Sequence, residues 1–445
     1  MTNAETSSPP TIAIESLGFD AGAHLLVKHA LAALPEGASL RVTGHAPGWQ
    51  AQLADWCRAQ GHALAWANDL LPLPPGEGRG EGRAPVDAAR PQPSAPAPHP
   101  ASPRRAEEED RVALITPGTA ETGRWRDAAH TGHADPQAAG AVLPQADAAW
   151  GLAARGARVE AGSPAIAFRL DRKDELWTDN AADLYAQAVA AQWDPDVALD
   201  WRVPLTHPPE VEAAIGQVMT YMVENENAAL LVPARFLGQI HPHYREMQAA
   251  LAIQVADEAR HIDVFTRRIR LGGGEPALST AGGQASLKSL LDEADFSVAG
   301  FLLSVLGEGT FVNLLQFLAA HAPDPLTRQI AKLAARDEAR HVALGMSHLL
   351  YRLQHEPALR SRLAQAVQAR HDNLAGTAGL NEEVFDALIL IGAGALTPTA
   401  VAAGFAKVQQ LMREMADGRF TRLLRLGFDR AQAERLSALH TRNFM

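Results

Sequence analysis

The pentapeptide Asp-Glu-Ala-Arg-His occurs twice in this chain, at residues 257–261 and at residues 337–341. Each copy lies within a long stretch whose apolar residues recur with the period of an α-helix. In each copy the glutamate and the histidine are three residues apart, so both side chains lie on one helix face, about one turn apart. Two such helices packed face to face would offer four side chains to shared metal ions, and these are Glu258, His261, Glu338 and His341.

Two more glutamates lie on helical stretches upstream of the two motifs. Glu226 precedes the first motif and Glu308 precedes the second, each by about the length of one helix and a turn. A carboxylate on an apolar helix face is costly to bury unless a metal ion or another partner compensates its charge. Glu224 is the alternative to Glu226, but its helix face is more polar, so the periodicity favours Glu226.

The resulting order is Glu, Glu-x-x-His, Glu, Glu-x-x-His, in which each helix of a four-helix bundle contributes a carboxylate. Carboxylate oxygens suit iron and manganese, and one imidazole per metal leaves coordination positions open for dioxygen. Asp257 and Asp337, which precede the motif glutamates, are placed to accept the far N–H of the histidine on the partner helix. Arg260 and Arg340 are expected to pair with these aspartates inside the bundle.

The order and spacing of these residues resemble the ferritin-like di-iron carboxylate superfamily. The doubled motif is most similar to its oxygenase branch, the bacterial multicomponent monooxygenases and phenylacetyl-CoA epoxidase-type proteins. The resemblance covers roughly residues 210 to 350, and it implies a cofactor of two iron ions, or of manganese and iron, with dioxygen as co-substrate. The iron ligands that it implies are Glu226, Glu258, His261, Glu308, Glu338 and His341.

This chain departs from the family pattern at two positions. The tyrosine that bears a radical in the related ribonucleotide reductase subunits would fall at Phe265, so a tyrosyl radical is not expected there. The active-site threonine of the monooxygenases would fall at Val312, with Thr310 and Asn313 as the nearest polar substitutes. The candidate catalytic residues are therefore Glu226, Glu308 and Thr310.

The function that follows from this resemblance is that of a di-iron enzyme, which uses dioxygen to hydroxylate, N-oxygenate or desaturate a small organic substrate. Iron handling or peroxide scavenging, as in ferritin or rubrerythrin, is the first alternative. A metal-free bundle that binds a partner is the second. Metal content separates the last hypothesis from the others, and a substrate-sized apolar cavity beside the carboxylates would favour the oxygenase.

The remainder of the chain predicts a multidomain α+β protein, with small two-layer α/β units before the all-α ferritin-like bundle and its extra helices. Residues 1–71 form the first unit, which resembles part of a TusA-like sulfur-carrier domain without its reactive cysteine. The Pro-, Gly- and Ala-rich residues 72–110 read as a disordered linker. Residues 111–175 predict a second α/β unit that could repeat the first, with a closing strand at 165–172. The helical domain is expected at 205–445.

Helical periodicity and breaks predict the individual helices of this domain. They are expected near residues 208–239, 243–271, 285–321, 325–354, 356–373, 380–417 and 429–440.

Composition excludes several other classes of site. The one cysteine, Cys57, permits neither an internal disulfide nor a cysteine-rich metal site, and it is expected to be a buried packing residue. The net charge of −11 argues against nucleic acid or an anionic membrane as a partner. The start of the sequence lacks the features of a secretory signal, and the longest apolar run, 388–396, is too short to span a bilayer. A cytoplasmic protein is expected, whose partners would be a small-molecule substrate, an electron-donor protein and a second copy of the chain.

Overall fold

The computed structural model describes residues 8–35, 37–67, 111–118, 127–132, 141–375 and 382–439. The chain divides into two compact units. The first comprises residues 1–130 with 158–163, and the second comprises residues 131–157 with 164–445. The predicted linker at 72–110 lies outside the described residues.

The first unit contains a four-stranded sheet with two helices packed on it. The strands are β1 (Thr11–Glu15), β2 (Leu40–Gly44), β3 (Ala63–Trp66) and β4 (Ala113–Thr116), and the helices are α1 (Ala23–Ala32) and α2 (Trp49–Gln60). The strand order is β1-β2-β4-β3, with β1 parallel to β2 and β4 antiparallel to both of its neighbours. Alternate strand residues and the apolar helix faces form its core, in which Cys57 is buried as predicted. The predicted two-layer α/β unit is present.

The prediction of a second, separate α/β unit at 111–175 is wrong for the described residues. Strand β4 inserts between β2 and β3, where it supplies hydrogen bonds to both and buries Ala113 and Ile115 in the same core. Two short strands, β5 (Ala129–His130) and β6 (Arg158–Val159), pair only with each other. The expected strand at 165–172 is absent from this described segment, where Leu170 makes an isolated bridge to Ile240.

The second unit is helical and begins well before residue 205, because the described residues 141–157 and 164–204 belong to it. Three short helices precede the bundle, namely α3 (Lys173–Leu176), α4 (Ala181–Ala190) and α5 (Pro195–Ala198). The helices that follow are α6 (Pro209–Leu237), α7 (Arg245–Leu271), α8 (Ala281–Leu291), α9 (Phe296–Gly300), α10 (Gly309–His321), α11 (Pro325–His355), α12 (Leu359–Ala375), α13 (Glu382–Ala393), α14 (Pro398–Arg425) and α15 (Arg430–Ala438).

Four helical rods form the central bundle. They are α6, α7, α11 and the continuous helix made of α9, a π-helical segment (Phe301–Glu308) and α10. Asp324 caps the start of α11 by accepting a hydrogen bond from the Thr327 N–H at 2.7 Å, and Pro325 occupies its first turn. Helices α13 and α14 pack outside this bundle, against α6 and α10.

Two predicted helices are divided in the structure. The stretch predicted at 285–321 contains a break at 292–295, where Asp295 caps the next helix by accepting from the Val298 N–H at 2.9 Å. The stretch predicted at 380–417 contains a break at Gly394, whose φ of +74° favours glycine, and α14 starts at Pro398. Each break is followed by a residue that favours the start of a helix, Asp295 in one case and Pro398 in the other. The prediction joined the helices because the apolar periodicity continues across both breaks.

Helices α6 and α11 carry apolar residues at two levels, with a polar level between them. On α6, Met222 belongs to one apolar cluster and Ala228 to another. On α11, Ala334 and Met346 occupy the same two clusters. The polar level between them is therefore closed off from water on both sides along the bundle axis.

The helix Phe296–His321 is long and apolar enough to cross a membrane by composition, with a mean hydropathy of 1.6 in its most apolar window. However, 78% of that window is buried inside the protein. The helix also carries the buried Glu308. These features are those of a core helix of the bundle.

A fully buried arginine joins three elements at one end of the bundle. Arg268 on α7 donates to the Glu212 carboxylate of α6 at 2.6 and 2.9 Å, and to the Asp324 carboxylate at 3.0 Å. Its Nε also donates to the Thr327 hydroxyl at 2.8 Å. Because Asp324 is buried too, removal of the arginine would leave a carboxylate uncompensated in the core.

We expect Arg268→Ala to lower the free energy of unfolding by about 3–5 kcal/mol, the usual cost of breaking a buried ion pair. Arg270→Ala is the matched control, since Arg270 is exposed on the same helix, and its effect should stay within about 0.5 kcal/mol. Urea unfolding followed by circular dichroism measures both. Equal effects of the two substitutions would contradict a structural role for the Arg268 network.

Candidate metal centre

The structure brings the six predicted ligand residues together at the polar level of the bundle. α6 contributes one glutamate, the π-helical segment contributes one at its last residue, and α7 and α11 each contribute a Glu-x-x-His pair. None of the six residues is more than 4% exposed. They are Glu226, Glu258, His261, Glu308, Glu338 and His341.

These side chains form two overlapping groups, and within each group the potential ligand atoms lie within 4.8 Å of one another. The first group contains Glu226, Glu258, His261 and Glu338, and the second contains Glu258, Glu308, Glu338 and His341. Glu258 and Glu338 belong to both. Two sites that share two carboxylates can hold two metal ions with bridging ligands.

Each histidine directs one ring nitrogen towards the carboxylates and the other towards an aspartate. Nδ1 of His261 lies 3.2 Å from Glu258, and Nδ1 of His341 lies 3.0 Å from the same carboxylate. Nε2 of His261 lies 3.2 Å from Asp337, and Nε2 of His341 lies 3.3 Å from Asp257. When Nε2–H donates to the aspartate, the Nδ1 lone pair is free to bind a metal ion. The two contacts cross between α7 and α11, as the sequence predicts.

Both aspartates are held in turn by the motif arginines. Arg260 Nη2 lies 2.5 Å from Asp257 and 2.8 Å from Asp337, so one guanidinium contacts both carboxylates. Arg340 bonds to Asp337 and lies 3.8 Å from Asp257. The arginines thus compensate the charge of the aspartates and fix their orientation towards the histidines.

Gln192 and Trp193, which follow α4, also contact these aspartates. The sequence analysis did not single out either residue. Gln192 donates to Asp257 at 2.7 Å, and the Trp193 indole N–H donates to Asp337 at 2.8 Å. The Arg260 guanidinium also lies over the Trp193 ring, 4.7 Å from its centroid. No local pattern marks these residues, because their role depends on how the segment after α4 folds back onto the bundle.

Four carboxylate oxygens in the cluster are buried and accept no hydrogen bond from the described residues when each histidine carries its proton on Nε2, although three of them lie 3.0–3.5 Å from a histidine Nδ1. They are Oε1 of Glu226, Glu258 and Glu338, and Oε2 of Glu308. Buried polar atoms normally have partners, so each such atom needs an explanation. Cations bound between these oxygens would satisfy all four, and hard oxygen donors with one imidazole each suit iron and manganese. The residues present therefore fit a two-metal cofactor.

The electrostatics of the cluster are those of crowded buried charges. Burial, with the nearby Glu258 charge, raises the pKa of Glu226 well above its usual value, and burial with Glu338 does the same for Glu308. Burial also acts to raise the pKa of Glu258, but the two histidines outweigh it and hold that pKa well below its usual value. The cluster without cations therefore retains protons on some carboxyls, and metal ions would displace them.

Thr310, the predicted catalytic hydroxyl, is buried two residues after Glu308 and bonds within its own helix, so its catalytic role stays a prediction. The Thr310 hydroxyl donates to the Leu306 carbonyl at 2.7 Å, one turn back on its own helix. Gln254 donates to Glu308 at 3.0 Å, and Ser304 also hydrogen-bonds to it. Ser304 lies four residues before Glu308, a spacing that could have been noticed in the sequence.

The choice between the two candidate glutamates on α6 is also settled by position. Glu226 is 1% exposed and lies in the first group of ligands. Glu224 is only half-buried, and its carboxylate bonds to Ser279 outside the cluster. This placement follows the apolar periodicity that favoured Glu226.

Removal of a shared glutamate should cost both metal ions, whereas removal of an unshared one should cost one. We expect Glu258→Ala to bind no iron, and Glu226→Ala to retain about one iron per chain, because Glu226 belongs to the first group alone. Glu224→Gln is the matched control and should keep two. Iron per chain is measured by elemental analysis after anaerobic loading and desalting. Two irons retained in Glu258→Ala would refute the shared-ligand arrangement.

The sequence matches no family model and no curated protein. Similar solved structures include a protein with aldehyde deformylating oxidase activity from Synechococcus, with 14% identity, a TM-score of 0.39 and coverage of 51% of this chain and 95% of that one. They also include an R2-like ligand-binding oxidase with a Mn/Fe cofactor, with 15% identity, a TM-score of 0.41 and coverage of 57% and 95%. Because these similarities are low, the assignment rests on the helices and ligands of the chain itself. Its second unit contains a four-helix bundle with a buried carboxylate–histidine cluster able to bind two metal ions, an arrangement similar to that of ferritin-like di-iron proteins.

Proposed function

We propose that this protein is a di-metal oxidase of the oxygenase type, which uses dioxygen to hydroxylate, N-oxygenate or desaturate a small organic substrate. The observation that carries the proposal is the buried cluster, in which two Glu-x-x-His pairs and two further glutamates surround room for two cations. Iron ions bound there would supply electrons to dioxygen. An electron-donor protein is the proposed source of the electrons that return the metals to their reduced state.

The protein side chains have distinct roles in this proposal. The glutamates and the Nδ1 atoms of the histidines would hold the metals, and Glu258 and Glu338 belong to both groups of ligands. Asp257 and Asp337 hold the imidazoles in one orientation through their Nε2 atoms. The apolar levels above and below the cluster exclude water from the site.

An apolar cavity adjoins the cluster at Glu308. It has a volume of about 40 Å³, and its walls include Gln254 and Ser304, the two residues that bond to Glu308. One water molecule needs about 10–15 Å³ of such space, so the cavity has room for dioxygen but not for a drug-sized substrate. Because its walls are mainly apolar, this cavity would admit dioxygen to the metal site more readily than charged reactants.

The small size of this cavity also favours a second candidate function. A protein that handles iron or removes peroxide without an organic substrate needs no more space than this. The two functions differ in what is consumed, because only the oxygenase converts an organic compound in proportion to dioxygen. We place the oxygenase first because the cavity walls are apolar.

The test is to load the full chain with Fe(II) without oxygen and then admit dioxygen. The proposal predicts dioxygen uptake, an absorption change of a two-iron centre, and an oxidised organic product from a substrate library in the presence of a chemical reductant. Glu258→Ala is the inactive control and Glu224→Gln the active one. Repeated dioxygen turnover with iron or peroxide as the only converted species would support the second candidate and overturn the first.

A methyl group added to the cavity should slow the reaction without loss of metal. Gly300 lines the cavity, and a Cβ atom there would meet nothing within 4 Å. Gly300→Ala should therefore raise the free energy of unfolding by about 0.5–1 kcal/mol, as expected for this change in a helix, but slow dioxygen uptake severalfold. Gly216→Ala on α6, equally uncrowded and outside this cavity, is the control for the helix effect. Stopped-flow absorption measures the rate, and equal rates for the two variants would show that dioxygen does not use this cavity.

A further inference from the structure

Away from the metal cluster, two arginines line a second small cavity, and a third lies one helical turn from one of them. Arg370 of α12 and Arg419 of α14 line it, and its volume is about 40 Å³. Arg422, one turn after Arg419, lies against Gly309, where a Cβ atom would come within 2.5 Å of its guanidinium carbon. The rest of the lining is mainly apolar and includes Leu302, Leu306, Val367, Leu374, Leu423 and Leu436.

Two of these guanidinium groups lack hydrogen-bond partners among the described residues. Arg419 is only 5% exposed, yet its Nε and Nη1 atoms have no acceptor. The Nε and Nη2 atoms of Arg422 are also buried without an acceptor. Arg370 has one neutral partner, the Ser286 hydroxyl at 2.8 Å. By contrast, the buried Arg268 contacts two carboxylates.

The charge of these arginines is not compensated by the described protein. No carboxylate of the described residues forms an ion pair with Arg370, Arg419 or Arg422. Burial lowers the pKa of each of the three to about 10, and the charge of Arg422 adds to the effect on Arg419. All three remain charged at neutral pH. A buried charge without a partner is unfavourable, so an anion from outside the described protein would stabilise this region.

The shape and lining of the cavity define the kind of anion. A planar carboxylate can accept two parallel hydrogen bonds from a guanidinium. The leucines and the valine around it favour an apolar group of a few carbons beside that carboxylate. The volume of about 40 Å³ corresponds to about three water-sized spaces, which excludes a long acyl chain.

We propose that this cavity, which we call the arginine pocket, is a binding site for short-chain monocarboxylates, with Arg419 as the main ligand of the carboxylate. The site adjoins the π-helical segment through Leu302 and Leu306 but shares no residue with the metal cluster. Binding does not require metal, so this proposal can fail or succeed independently of the proposed oxidase function.

The experiment uses the full chain and sodium propionate, with propanol as the neutral analogue of similar size. Thermal unfolding and isothermal titration calorimetry, both at constant ionic strength, measure binding. We expect propionate to raise the Tm of the native protein, and propanol not to. Arg419→Met should weaken propionate binding at least tenfold, as expected for loss of a charged hydrogen bond, and should not lower the Tm without propionate, because it removes an unpaired buried charge.

Arg425→Met is the matched control, since Arg425 is exposed on the same helix, and it should bind propionate like the native protein. Three results would overturn the proposal. The first is equal propionate binding by Arg419→Met and the native protein. The second is an equal rise in Tm with chloride, which would show a response to charge alone. The third is an equal rise in Tm with propanol, which would show that the carboxylate is not the group that the arginine pocket binds.

Discussion

Four carboxylates and two imidazoles share one water-excluded level of this bundle. The rest of the structure depends on how the charge of these buried groups is compensated. The two apolar clusters lie on either side of this level, so the charges cannot be relieved by solvent. Carboxyl groups crowded in this way raise the pKa of Glu226 and Glu308, because burial favours their protonated forms. Two divalent cations would replace those protons and bind the buried oxygens that accept no hydrogen bond from the described residues.

The support around this level is as specific as the ligands. Each histidine is oriented by an aspartate from the opposite motif. Each motif therefore depends on the other for the orientation of its imidazole. The aspartates depend on Arg260 and Arg340, and also on Gln192 and Trp193 from outside the four bundle helices. Because these ligands are already held in position without metal, metal binding requires less loss of side-chain conformational entropy.

The contrast between the buried arginines is informative. Arg268 forms ion pairs with Glu212 and Asp324 and joins helices that must pack together. Arg419 lines the arginine pocket, and both Arg419 and Arg422 carry buried donors that no described residue accepts from. Packing alone does not explain the second pattern, because a methionine would fill similar space without the cost of a buried charge.

Much of the site could be predicted from the sequence because helix geometry relates spacing to direction. The doubled motif determined which faces of α7 and α11 meet, and apolar periodicity separated Glu226 from Glu224. The contacts of Gln192 and Trp193 could not be predicted, since they depend on long-range folding. Strand β4 was placed in the wrong unit for the same reason. Its partners β2 and β3 lie before the long segment 72–110, and local patterns do not report pairing across such a separation.

The π-helical segment determines which side chains at its end turn towards the metal cluster. An α-helix advances by about 100° per residue, whereas the segment Phe301–Glu308 uses wider turns and therefore shifts every later side chain around the axis. Glu308, at the end of this segment, reaches the cluster, and Thr310 turns back to the Leu306 carbonyl. A one-residue deletion within Phe301–Glu308 could restore regular helix, but it would rotate the glutamate out of the centre. The segment is thus less tolerant of insertions and deletions than its featureless apolar composition would suggest.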